Sequence, residues 1–104
     1  MRLKTYSAES GYVYEYVFVG QEGADYRFDV SADRKAFRQV VIRIGRAALE
    51  SAAQREMRAV EEYGVAKMSL FQAFDECSNP DSLAGLIEPS LESYAQILHT
   101  LDLL

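Results

Sequence analysis

The side chains able to do chemistry are few in this chain: one histidine, one cysteine, a lysine inside an apolar run, and tyrosines that alternate along one stretch. His99 has no acidic residue four positions before or after it, so neighbours in sequence build neither a metal site nor a Ser/His/acid group around it. It reads as a partly exposed helix residue. Cys77 stands alone, so there is no internal disulfide and no four-thiolate zinc site. It lies in Asp75-Glu76-Cys77-Ser78-Asn79-Pro80-Asp81. Asp75, Asn79 and Asp81 approach the spacing of a calcium loop, but Cys77 stands where an oxygen ligand is wanted and Pro80 where glycine is wanted. A capped turn without metal is expected. Carboxylates at the end of a helix oppose its dipole, so Asp75 and Glu76 call for a compensating cation or an arginine from elsewhere.

Glu61 and Glu62 are adjacent, so on a helix they diverge and do not form an acid–base pair. Arg58 and Glu62, four apart, read as a surface ion pair worth a few tenths of a kcal/mol. Lys67 sits in the most apolar stretch of the chain. A buried lysine can act as a nucleophile, but such a side chain more often lays its stem on apolar surface and keeps its ammonium wet. No Walker loop, dinucleotide glycine motif, HExxH or GxSxG occurs, so no motif points to a cofactor.

Seven tyrosines are present, and Tyr12, Tyr14 and Tyr16 alternate along one strand-like run. An aromatic sheet face can stack nucleic-acid bases, but that requires basic surroundings. Here the net charge is −5 and the pI about 4.8, which disfavours nucleic acid and anionic membrane surfaces alike. The basic stretch 34–46 carries Arg34, Lys35, Arg38, Arg43 and Arg46. Along a strand these cations alternate between faces and do not make one patch. The bland reading of the tyrosines is a core whose hydroxyls reach its rim.

The elements that must position these groups follow from pattern. Residues 11–19, 24–30 and 37–44 are rich in aromatic and β-branched side chains and read as strands, with a weaker one at 2–6. A three-residue loop Gln21-Glu22-Gly23 would set Phe18 opposite Tyr26, Tyr16 opposite Phe28 and Tyr14 opposite Val30. The inner face is then Tyr12, Tyr14, Tyr16, Phe18, Tyr26, Phe28, Val30, Val40, Ile42 and Ile44. The outer face holds Val13, Glu15, Val17, Val19, Arg27, Asp29, Gln39, Val41 and Arg43.

After Gly45, residues 46–50 suggest a short helical turn. Ser51 and Gln54 have capping-box spacing, which predicts one long helix from there to about Phe74. Its second half is apolar on nearly every side and must be covered by more than the sheet. Asn79-Pro80 predicts a short helix over 80–87. A last helix from Pro89 to about Leu103 carries the seam Leu91, Tyr94, Leu98 and Leu101.

At 104 residues and 11.7 kDa the chain suits a single domain over 1–104. The predicted class is α+β: an antiparallel meander of three to four strands on one long helix, followed by two shorter C-terminal helices. With no secretory signal pattern and no apolar run long enough to span a bilayer, a cytoplasmic protein is expected. Charge is uneven: residues 1–46 carry net +2 and residues 47–104 net −7.

Three functional readings follow. The first is a non-catalytic interaction module that forms a homodimer through Val13, Val17, Val19, Val41, Leu91, Tyr94, Leu98 and Leu101, because helix 64–74 is apolar all round, the last helix has a lengthwise seam, and the outer sheet face keeps more apolar surface than a monomer usually shows. The second is a small-molecule binder or enzyme with a pocket between the aromatic sheet face and the helix, lined by Tyr14, Tyr16, Tyr26 and Lys67. The third, and weakest, is a regulator of a nucleic-acid machine docking through 34–46.

Overall fold

A computed structural model describes residues 2–104 as strands β1 (Lys4–Ser7), β2 (Val13–Glu22), β3 (Asp25–Ser31) and β4 (Arg38–Arg43), then helices α1 (Arg46–Ala53) and α2 (Ala59–Glu76). A 3-10 turn (Pro80–Ser82), the two-residue β5 (Leu86–Ile87) and α3 (Leu91–Thr100) complete it. The sheet has five strands in the order β1-β2-β3-β4-β5. The first four form an antiparallel meander, and β5 joins parallel to β4, so the sheet is mixed. The α+β class is as expected; the number of strands and the division of the helices are not.

The β2–β3 hairpin differs from the sequence expectation. Glu22 faces Asp25 across a two-residue turn, Gly23-Ala24, and Phe18 faces Phe28 rather than Tyr26. A two-residue turn alone would bring Glu15 onto the face of Phe28. The register shifts between Phe18 and Gly20, leaving Val19 as the extra residue of a bulge. That single insertion returns the aromatic rows to one face. Gly20 (φ 153°) and Gly23 (φ 59°) supply the backbone geometry that the bulge and the turn require.

The inner face is otherwise as the alternation predicts. Tyr14, Tyr16, Tyr26, Phe28, Val30, Val40, Ile42 and Ile44 are buried, and Phe18 is half-buried. Tyr12 is the exception, 43% exposed, because β2 begins only at Val13.

The long helix does not start at Ser51. That residue lies inside α1, which stops at Gln54 in the left-handed region (φ 58°). Helix α2 starts behind Arg58, whose N–H donates to the Glu61 carboxylate (2.9 Å), while Arg55 donates twice to the same group (3.1 and 2.9 Å). One carboxylate therefore caps the helix and gathers the 54–58 loop, which no Ser or Thr cap announces.

The expected helix over 80–87 is a single 3-10 turn. Asn79 caps it by accepting the Asp81 N–H (3.0 Å). The chain then runs extended, because Gly85 offers its carbonyl to the Val41 N–H (2.8 Å) at the open edge of β4. Ser90 caps α3 by accepting the Ser93 N–H (3.1 Å).

The apolar half of α2 is covered on several sides. Leu70 and Phe74 are fully buried. Phe74 stacks on Tyr14 of β2 with ring centroids 4.1 Å apart. Phe71 stacks on Tyr6 of β1 at 4.2 Å. Helix α3 packs on another side, where Tyr94, Ile97 and Leu98 join the core.

Candidate functional site

The aromatic face and α2 close on each other, so the space proposed as a pocket is filled. Tyr14, Tyr16 and Tyr26 are core residues. Tyr26 donates its hydroxyl to Glu62 (2.7 Å). Glu62 also takes the Arg46 guanidinium (2.8 Å), and Arg46 donates to the Met57 carbonyl (2.5 Å). Burial, together with the bond to Glu62, raises the Tyr26 pKa and keeps the phenol protonated. Lys67 is half-buried, with its ammonium 5.9 Å from the ring centres of both Tyr16 and Phe71. Burial first, and then the nearby Lys4, lower its pKa. Its stem lies among aromatic rings, the arrangement of a lysine holding its charge over π faces. The four pocket residues do not share one cavity. Tyr14 borders one cleft, and Tyr16 borders a smaller one with Arg2, Lys4, Phe18 and Tyr63.

The acidic end of α2 is stabilised differently from the expectation. Asp75 accepts the Tyr6 hydroxyl (2.7 Å) and the Glu9 N–H (3.0 Å), so a phenol and a backbone amide take the place of a cation. The Tyr6 pKa is pushed up to about 12, by burial first and by its bond to Asp75 second. Cys77 turns its thiol to the Asn79 carbonyl (2.7 Å), and His99 is exposed. Among the described residues no three His, Cys, Asp or Glu side chains gather as metal ligands. No helix there is long and apolar enough to cross a membrane.

The eight residues expected at an interface fall into two groups. Tyr94 and Leu98 are within the chain's own core (1% and 0% exposed), and Leu101 is half-buried against α2. The seam of α3 is thus used inside the chain, because α3 is the cover that α2 needs. Leu91 alone of that seam is exposed. The four valines are different. Val13 and Val19 are exposed, and Val17 and Val41 are half-buried, on the sheet face turned away from the helices.

Among the described residues no element packs over that outer face. Its rows follow from the register. Val17 faces Asp29, which faces Gln39; Arg27 faces Val41, which faces Leu86. Charged pairs border it: Arg43 takes Asp25 in two bonds (2.7 and 3.1 Å), and Arg27 lies 3.4 Å from Glu22. The bond to Arg43 is the main reason that the Asp25 pKa is lowered.

A separate cleft of about 390 Å³ opens where β2 begins, bounded by the 31–37 loop and the 3-10 turn. Tyr12, Phe37, Asp33, Arg38, Asn79 and Asp81 are among its walls. The loop is built by Asp33, whose carboxylate accepts the N–H groups of Lys35 (2.8 Å) and Ala36 (3.0 Å). These bonds hold its pKa below the usual carboxylate range.

Comparison with protein-family models, with curated proteins and with solved structures finds no match to this chain.

Proposed function

We propose that the chain is a non-catalytic protein-interaction module that self-associates as a homodimer through the outer face of its sheet. One observation carries this reading: the helices lie against one face of the sheet, and the other presents Val13, Val17, Val41 and Leu86 among charged side chains. A second copy suits this surface better than an unrelated partner, because the surface complements itself. Arg27 and Asp29 stand two residues apart on the same face of β3. Consider a two-fold axis that lies between facing sheets and crosses β3 at right angles. It sets Arg27 of one copy against Asp29 of the other, and Asp29 against Arg27. Val17 and Val41 are the cross-strand neighbours of these two charges and would exclude water around them. Facing sheets pack about 10 Å apart, a gap that an arginine can cross.

Sedimentation velocity over a concentration series tests the proposal. Twice the 11.7 kDa chain mass is expected at high micromolar concentration. A single species of the chain mass throughout would overturn it. Val17→Glu should shift the equilibrium toward the monomer without lowering the melting temperature of the monomeric form.

A further inference from the structure

We infer a binding site for a small oxyanion, a phosphate group in particular, in the cleft where the start of the chain and β2 meet α2. The cleft holds about 210 Å³, below the range of drug-sized ligands and ample for one phosphate. Its walls are Arg2, Lys4, Tyr16, Val17, Phe18 and Tyr63. Lys67 stands beside it, its ammonium 5.9 Å from the centre of the Tyr16 ring and within hydrogen-bonding reach of Lys4.

No carboxylate answers these three cations. Among the described residues Arg27, Arg43, Arg46, Arg55 and Arg58 each lie 3.5 Å or less from a carboxylate, and none of the ion pairs includes Arg2, Lys4 or Lys67. The sequence shows why. Lys4 faces Tyr16 across the ladder, and two residues to either side of it along the chain stand Arg2 and Tyr6. On α2 the positions three and four away from Lys67 are Tyr63, Gly64, Leu70 and Phe71. None of these is acidic. Two ammonium groups side by side repel each other, and an anion between them turns that repulsion into attraction.

The phenols point to the same class of ligand. Tyr16 is 5% exposed, and its hydroxyl has no hydrogen-bond partner among the described residues; unlike that of Tyr14, it is not cut off from solvent. Tyr63 brings a second phenol near it. Every polar side chain on the walls can therefore donate a hydrogen bond, and no wall residue is a carboxylate. Such a donor-only set fits an oxyanion and leaves a metal cation without ligands of opposite charge.

The test uses the full chain in phosphate-free buffer slightly above neutral pH. The probes are sodium phosphate, phenyl phosphate and, at matched ionic strength, sodium chloride. Backbone amide shifts are followed by NMR as each is added. Phosphate should move the amides of residues 2–6, 15–18 and 63–68 along saturable curves, and chloride should not. Lys4→Gln and Lys67→Gln should each weaken phosphate at least fivefold. Lys4→Gln, which changes an exposed side chain, should melt no lower than the unaltered chain in phosphate-free buffer. It should also lose the rise in melting temperature that phosphate gives the unaltered chain. Phenyl phosphate binding more tightly than inorganic phosphate supports the site as one for a monoester, with Phe18 and Tyr63 taking the organic part. Equal or weaker binding supports it as one for the free anion. Phosphate shifts no larger than those of chloride overturn the inference, as does unchanged phosphate affinity in either lysine variant.

Discussion

Glu62 shows how much one side chain can carry here. It is 4% exposed and holds the Tyr26 hydroxyl on one oxygen and the Arg46 guanidinium on the other. Glu62→Ala would leave a buried phenol and a half-exposed cation without their partner. The expected loss in denaturant unfolding is about 2–4 kcal/mol, against about 1 kcal/mol for Tyr26→Phe, which removes only one bond. Its neighbour Glu61 gives a pH dependence. Hydrogen bonds from Arg55, then from the Arg58 backbone, lower its pKa from 4.5 to about 2. A carboxylate with a depressed folded pKa contributes stability above its unfolded value and loses it as pH falls. Melting temperatures should therefore fall from about pH 4.5 towards pH 2, and Glu61→Gln should flatten that slope. None of this could be read from spacing. Adjacent glutamates on a helix do diverge, as expected, but each then meets an arginine from the preceding helix or loop. Arg46 is sixteen positions from Glu62, and no local rule links them.

At the scale of elements, period-two alternation was enough to sort the strand faces, because burial of a whole row outweighs any single position. Loop length was not legible. The chain uses a two-residue turn and a bulge where a three-residue loop would have given the same faces, so the hydrophobic pattern cannot separate the two. Helix boundaries failed for a related reason: the cap of α2 is a backbone N–H on a glutamate, without Ser, Thr, Asp or Asn at the cap position. Gln54 ends α1 with φ 58°, a conformation that costs a side chain roughly 1–2 kcal/mol. Gln54→Gly should raise stability by up to about 1 kcal/mol in equilibrium unfolding, less than the full strain because glycine is also freer when unfolded. Gly23→Ala, at φ 59° in the hairpin turn, should cost about 1 kcal/mol. Strand β5 lies beyond reach of local pattern, since its pairing rests on a Gly85 carbonyl meeting the edge of β4 more than forty residues earlier.

At the scale of the molecule, α3 roofs the apolar helix that the sheet alone could not cover. This answers the demand that the sequence of α2 makes, and it withdraws Tyr94 and Leu98 from any partner. The self-association we propose therefore falls to the outer sheet face, where Val17 and Val41 are the cross-strand neighbours of Asp29 and Arg27, and where those two charges would complement each other across a two-fold axis. Sedimentation equilibrium of Arg27→Asp, Asp29→Arg and the doubly exchanged chain tests that claim most directly. Either single change sets like charges together and should weaken the dimer at least tenfold, and the double exchange should restore it. Three variants with the association constant of the unaltered chain would contradict the account.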